Sequence, residues 1–438
     1  MENHLFKQFA LKPIINEVID KLEFYEPTPI QHQVIPAVLR GESIIGQSET
    51  GSGKTHSFLL PLMSKMNTDE AKVQFVVTSP TRELASQIYD EIKKIIKFAN
   101  KEEEWTSKLL IGGTDKKRSI EKLREQPHIV VGTPGRIYDL VEEGALDIYS
   151  ANSFVVDEAD LMLDLGLIKE VDQILVRANP SIHLMVFSAT IPERLQPFLK
   201  KYLENPSYFK IHDKLAPEKM EHRLVPLRHR DTAEMIHRIS KTIQPYLAII
   251  FTNGKELANQ LARDLNEKGL EVGLIHGGLN PRERKRVLKD IQNLRYQYIV
   301  ATDLAARGID IKGVSHVINA QMPKEEDFYV HRVGRTARAG MEGIAINIYS
   351  DDDLPLVEKL EQKGLVFQSY DVVNGEWKET KAWNERNKRK KTESNIEKEA
   401  WKRVRKPKKV KPGYKRKMKY QKDQAKRKLK RNNNPNNR

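Results

Sequence analysis

A chain of 438 residues is long enough for two or three domains with cores of their own, and with no cysteine it can build neither a disulfide framework nor a cysteine-type zinc site. Its net charge of +15 is unevenly spread, because Lys378–Arg438 hold 26 Lys and Arg against 6 Asp and Glu, a net of +20, which leaves the body before Lys378 at −5. Met1–Ala10 lacks the basic flank and apolar stretch of a signal peptide, and no run approaches the roughly 18 apolar residues of a membrane span. The sequence therefore reads as a soluble, cytoplasmic protein whose basic end seeks a polyanion.

From about Ser43 to Glu204, short apolar runs alternate with helical patterns: S-I-I-G-Q, Q-F-V-V-T-S, H-I-V-V-G-T, S-F-V-V-D and H-L-M-V-F-S. Such Val- and Ile-rich runs predict buried parallel strands joined by crossover helices. The first run leads into Ser48-Glu49-Thr50-Gly51-Ser52-Gly53-Lys54-Thr55, where glycines let backbone N–H groups converge on phosphate oxygens. Lys54 then reaches the terminal phosphates and Thr55 offers a hydroxyl to magnesium. A G-x-G-K-[ST] string arises by chance in a chain of this length only on the order of one time in fifty to a hundred. The run Phe154-Val155-Val156 delivers the Asp157 carboxylate to the same sheet edge, where it is expected to hold magnesium directly or through water. Glu158 points elsewhere and is the candidate for orienting an attacking water.

After Asn205-Pro206 the same grammar returns in L-A-I-I-F-T, E-V-G-L-I-H, Y-Q-Y-I-V-A-T, S-H-V-I-N and I-A-I-N-I-Y. Two open α/β domains follow, each placing ligand groups at the carboxyl ends of its strands. Arg335 and Arg338, one helical turn apart in H-R-V-G-R-T-A-R (His331–Arg338), stand about 280 residues beyond the phosphate loop, and together they suggest one nucleotide site completed by two domains. The tail, with K-R-K-K at Lys388–Lys391 and K-P-K-K-V-K-P at Lys406–Pro412, cannot bury enough apolar surface to fold alone and is expected to be largely disordered. Trp377, Trp383, Trp401, Tyr414 and Tyr420 lie in or beside it, so bases can stack on aromatics while lysines hold phosphates.

The loop ending at Thr55, D-E-A-D at Asp157–Asp160, S-A-T at Ser188–Thr190 and the octet at His331–Arg338 together resemble the DEAD-box family of ATP-dependent RNA helicases, over residues 1 to about 370. The resemblance implies tandem RecA-like domains: residues 1–205 with ATP-binding and Q motif, a linker at 206–220, a second domain at 221–377, and a basic RNA-binding tail at 378–438. It implies ATP and Mg2+ as cofactors. Phe24 to Gln31 resembles the family's Q motif, in which the Gln31 amide pairs with adenine and Phe24 offers a stacking face, with Phe6 as the upstream aromatic. Glu23 stands where relatives have Gly, at a cost of roughly 1 kcal/mol if φ is positive there. Ser48 and Glu49 stand where the family carries Ala and Gln.

From the second domain, the resemblance makes Arg335 and Arg338 arginine fingers, worth about 10³ to 10⁵ in rate in related NTPases. Asp310 would hold the ribose, while His331 and Arg332 organise the interdomain contact. Ser188 and Thr190 would tie nucleotide state to closure. The RNA track carried over comprises Thr81, Arg82, Gly113, Thr133 and Arg136 in the first domain and Asn253, Gly254, Arg284 and Thr302 in the second, although Pro281 stands where the family often has Gln. These groups suit the sugar-phosphate chain, so binding is expected to ignore sequence. With K-P-K-K-V-K-P-G-Y-K at Lys406–Lys415, the chain is similar to the cold-shock members of the family in Gram-positive bacteria.

The expected activity is RNA-stimulated ATP hydrolysis that unwinds short duplexes locally and remodels RNA or ribonucleoprotein, in cold adaptation, ribosome assembly or mRNA turnover. The expected partners are RNA and ribosomal or RNA-degradation proteins, with no membrane and a monomeric chain. An ATP-gated RNA clamp or scaffold is the alternative, and a DNA helicase is disfavoured by the motif set.

Overall fold

The computed structural model describes residues 5–49, 51–68, 71–113, 115–211, 220–306, 311, 313–336, 342–385 and 418–425. Thr50, Asp310, Ala337, Arg338, Trp401 and Tyr414, and the basic runs at Lys388–Lys391 and Lys406–Lys415, lie outside them. The chain divides into two units, Met1–Phe367 and Gln368–Arg438.

Seven strands build the first sheet: β1 (Ile44–Gln47), β2 (Phe75–Thr78), β3 (Ser107–Leu110), β4 (Ile129–Gly132), β5 (Ser153–Val156), β6 (His183–Ser188) and β7 (Ser207–Lys210). They run parallel in the order β3-β4-β2-β5-β6-β1-β7. The central strands read as continuous apolar runs because both of their faces are covered. Ile44, Val77, Val155 and Phe187 pack with the helices Pro29–Arg40 and Lys54–Lys65, whereas Ile45, Val76, Phe154 and Val156 pack with Ile137, Leu140, Val171 and Ile174 on the other face. Residues 207–210, expected in the linker, instead form an edge strand alternating between half-buried and exposed positions.

The second sheet contains β8 (Met220–Pro226), β9 (Ala248–Thr252), β10 (Val272–Ile275), β11 (Tyr298–Thr302), β12 (His316–Asn319) and β13 (Gly343–Tyr349), parallel in the order β10-β11-β9-β12-β13-β8. The first sheet presents the loops that follow β1, β5 and β6 beyond the carboxyl ends of its strands, which is where such sheets bind ligands. β14 (Phe367–Val373), whose first residue ends the first unit, pairs with β15 (Glu376–Glu379) as an antiparallel hairpin with Trp377 edge-on to Tyr370. Of the basic tail, residues 378–385 and 418–425 are described, and the latter are helical. Among the described residues no helix is long and apolar enough to cross a membrane.

Glu23 has φ +58. It follows the helix Pro13–Lys21, and two bonds close the helix end: Glu23 N–H donates to Asp20 O (3.1 Å) and Phe24 N–H to Ile19 O (3.2 Å). That reverse turn at a helix end places one residue in the left-handed region that glycine adopts freely. Because Glu23 is exposed, Glu23→Gly is expected to stabilise the first domain by about 1 kcal/mol. Equilibrium denaturation showing no gain would mean the strain is absent in solution.

Candidate active site

At the end of β1 the chain turns through Ser48 and two left-handed glycines, Gly51 (φ +88) and Gly53 (φ +95), into the helix Lys54–Lys65. A Cβ on Gly53 would fall 2.7 Å from both Gln31 Nε2 and Thr28 Oγ1, so only glycine fits there. The loop is braced internally. Ser48 and Ser52 hydroxyls lie 2.7 Å apart, Ser52 Oγ donates to Glu49 O (2.8 Å), and Ser48 N–H donates to Ser188 O (3.1 Å). Lys54 Nζ folds back, donating to Ser48 O at 2.9 Å and to Glu158 Oε1 at 3.4 Å. Burial works to lower the Lys54 pKa, but the carboxylates of Glu158, Asp157 and Asp160 outweigh it and hold the ammonium above its usual range.

Asp157 and Glu158 follow β5 and are both buried. Asp157 is pushed up to about 7, first by burial and then by the Glu158 charge, with Lys54 opposing. Among the described residues its Oδ1 is buried without a hydrogen-bond partner. Glu158 has φ +52 and caps the helix Ala159–Asp164, a strained placement that turns its carboxylate toward Lys54. Gly51, Gly53, Lys54, Thr55, Asp157 and Glu158 line one cavity of about 790 Å³, whose other wall comes from Tyr246, Ile291, Leu294, Ile311 and Gly313 of the second domain.

The Gln31 amide bridges its own helix start and this loop. Its Oε1 accepts from Thr28 N–H (3.0 Å) and its Nε2 donates to Gly53 O (3.2 Å). Phe24 stacks on the buried Phe6 at 6.5 Å and meets His56 edge-on at 4.9 Å.

Ser188, Thr190 and His331 converge on Asp160, the last residue of D-E-A-D, to which the motif alone assigns no partner. Ser188 Oγ accepts from Asp160 N–H (3.0 Å), while Thr190 donates both N–H and Oγ1–H to Asp160 Oδ2 (3.1 and 3.0 Å). His331 Nε2 lies 3.3 Å from that same oxygen, an ion-pair distance without hydrogen-bond alignment, and it joins the two domains. Arg335, four residues on, is buried with Nε donating to His331 O (3.3 Å).

Of the expected RNA track, Thr81 caps the helix Arg82–Phe98, its Oγ1 accepting from Leu84 N–H. The Arg82 guanidinium lies against Gly113, 2.5 Å from where a Cβ would be. Thr133 stands at the start of the helix Pro134–Glu142, and Arg136 Nη1 donates to Ser119 Oγ (3.4 Å). Gly254 and Thr302 end up beyond β9 and at the end of β11. Two residues have other partners here. The Asn253 side chain is an internal tie, accepting from Arg332 Nη2 (2.7 Å) and donating to Met322 O (2.9 Å). Arg284 bridges the domains, with Nε on Glu83 Oε1 (2.6 Å) and Nη2 on Ala305 O (3.2 Å).

Residues 28–198 match the DEAD/DEAH box helicase family and residues 230–340 the helicase conserved C-terminal domain. The chain is 52% identical to the DEAD-box ATP-dependent RNA helicase CshB of Bacillus cereus, over 98% of this chain and 99% of the relative. It is also 52% identical to CshB of Bacillus subtilis, over 99% of each. Among solved structures it is similar to S. cerevisiae Dbp5 bound to RNA and ADP BeF3, at TM-score 0.73 and 26% identity, over 89% of this chain and 99% of that one. The two parallel-sheet domains are RecA-like. The phosphate loop, the D-E-A-D carboxylates and the S-A-T turn thus lie inside a family match covering most of the body, and this chain belongs to the DEAD-box helicase family.

Proposed function

We infer that this chain is an RNA-stimulated ATPase that spends ATP on opening short RNA duplexes locally and on remodelling RNA or ribonucleoprotein. The observation that carries the reading is the single cavity that joins the phosphate loop, Asp157 and Glu158 to a wall from the second domain. ATP phosphates accept from the loop amides, and Lys54 exchanges the Ser48 carbonyl for the terminal phosphates. Thr55 and Asp157 hold Mg2+, since a hydroxyl and an orphaned carboxylate oxygen are the hard donors that ion takes. The ion supplies neutralisation of phosphate charge. Glu158 orients the attacking water, and Arg335 and Arg338 stabilise the transferring phosphoryl from the second domain. Gln31 keeps one N–H and one lone pair for adenine, beside Phe24, and Asp310 holds the ribose.

Thr81, Arg82, Gly113, Thr133, Arg136, Gly254, Arg284 and Thr302 follow the RNA backbone, Arg284 by exchanging Glu83 for a phosphate, with Asn253 acting through Arg332. Ser188, Thr190 and His331 report closure through Asp160. We place the activity in the cytoplasm, as a monomer acting with ribosomal or RNA-degradation proteins in cold adaptation, ribosome assembly or mRNA turnover. A deletion strain with normal growth and ribosome profiles in the cold would remove that placement. The contacts His331–Asp160 and Arg284–Glu83 also favour a second reading, an ATP-gated clamp whose closed state outlasts unwinding.

Steady-state hydrolysis without nucleic acid, with single-stranded RNA, with matched single-stranded DNA, and with GTP in place of ATP tests the reading. RNA alone is expected to stimulate, and ATP to be preferred. Equal stimulation by DNA, or none by RNA, would overturn it. In the same assay, truncation before Lys378 is expected to spare core hydrolysis, raise the RNA concentration needed and flatten its salt dependence, because fewer counterions are released. An unchanged salt slope would show that the tail does not tether RNA.

A further inference from the structure

The cavity's second wall is fixed as firmly as its phosphate loop. Tyr246 lies just before β9, its N–H donating to Ser315 Oγ at 3.0 Å, while the preceding carbonyl of Pro245 accepts from Gln297 Nε2 at 3.2 Å. Its ring leans on Gly313 along the Cδ1–Cε1 side, so closely that a Cβ there would lie 2.4 Å from Cε1. Despite this bracing the residue is 60% exposed, and it faces the cavity together with Leu294, which is 48% exposed at φ +57, and Ile311. The left-handed turn at Leu294 closes the helix Pro281–Gln292, with Leu294 N–H donating to Ile291 O (2.9 Å) and Arg295 N–H to Asp290 O (3.0 Å), so the feature that asks for a ligand is the aromatic ring held in place yet exposed on a cavity wall.

The opposite wall of this cavity carries the phosphate-binding groups, and the volume falls within the range of small-molecule sites. Phe24, the sequence's candidate for stacking the base, has Phe6 against one side and His56 edge-on. Tyr246 is the one tyrosine, tryptophan or phenylalanine among the described residues lining the cavity. A planar heterocycle attached to phosphates is the ligand whose two ends match these two walls.

We propose that Tyr246 stacks on the base of the bound nucleotide, flanked by Leu294 and Ile311, so that the second domain contributes to nucleotide affinity as well as to hydrolysis. This rests on the reading that Gly51–Thr55 bind the phosphates of ATP. Gly313 serves the same contact indirectly, by leaving room for the ring.

The test is equilibrium binding of a non-hydrolysable analogue of Mg-ATP, standing for ATP, and of inorganic tripolyphosphate to the full chain in the presence of RNA, for the native protein and for Tyr246→Ala, Tyr246→Phe and Lys54→Ala. Tyr246→Ala is expected to weaken ATP about 5- to 20-fold, in line with the loss of one base–aromatic stack. Tyr246→Phe should stay within about twofold, and tripolyphosphate binding should be the same in the native protein and both Tyr246 variants. The exposure of Tyr246 makes these variants safe for folding. If Tyr246→Ala binds ATP normally while Lys54→Ala weakens both probes, the stacking inference alone falls. Equal weakening of ATP and tripolyphosphate by Tyr246→Ala, or a higher RNA requirement with unchanged ATP affinity, would also overturn it. If Lys54→Ala weakens neither probe, the phosphate-loop reading itself falls.

Discussion

Glu158→Gln is expected to bind ATP and RNA like the native chain while RNA-stimulated turnover drops by about 10² to 10⁴. The amide has the shape of the carboxylate, so it can keep the place at the start of the helix Ala159–Asp164 and the approach to Lys54. What it lacks is a basic oxygen for the water's proton. Removing that charge also relieves Asp157, whose pKa is raised first by burial and next by Glu158. The substitution therefore favours the ionised Asp157 that a cation requires, and weaker nucleotide binding is not the expected route to inactivity. Turnover within about threefold of the native rate would take Glu158 out of the chemistry.

The second large effect is on stability. Arg332 is 1% exposed, yet its guanidinium is fully occupied: both Asp303 oxygens, Asn319 Oδ1 (2.9 Å), Gln321 O (2.7 Å) and Asn253 Oδ1 (2.7 Å) accept from it, and it lies 5.2 Å over the Phe251 ring. Only the planar fork of arginine reaches all of these at once. Arg332→Met would fill the space but leave the Asp303 carboxylate and several acceptors with no donor. A loss of about 3 to 5 kcal/mol in the unfolding of the second domain is expected. Arg332→Lys should recover less than half of it, because one ammonium cannot serve five acceptors. Denaturant unfolding that shows less than about 1 kcal/mol of loss for Arg332→Met would mean the network is not what holds these loops.

What the sequence revealed and what it hid follow one physical line. The runs I-I-G-Q, F-V-V-T and F-V-V-D were legible as strands because both faces of β1, β2 and β5 are buried, which leaves no polar alternation to confuse the pattern. β3 (S-K-L-L) and β7 (S-Y-F-K) were not, since each is an edge strand, only part-buried, with lysine in its run. β8, M-E-H-R-L-V-P, likewise hides its buried half behind charge. In the site, the loop, Asp157 and Glu158 were legible because fixed chemistry demands fixed spacing. The hub at Asp160, the Arg332 network and the wall at Tyr246 depend on partners up to 171 residues away in the chain, as His331 is from Asp160, and no local pattern announces such a meeting. Arg284 shows the same limit. Its residue type suggested RNA, whereas its partner in this state is Glu83, 201 positions earlier.

Displacement of one strand from a short RNA duplex of about ten base pairs, followed with and without ATP and compared with the Glu158→Gln chain, tests the coupling most directly. The account predicts ATP-dependent release by the native chain that slows steeply as the duplex is lengthened, and none by the variant despite intact RNA binding. Tight ATP-dependent binding with no release by the native chain would contradict it and establish the clamp in its place.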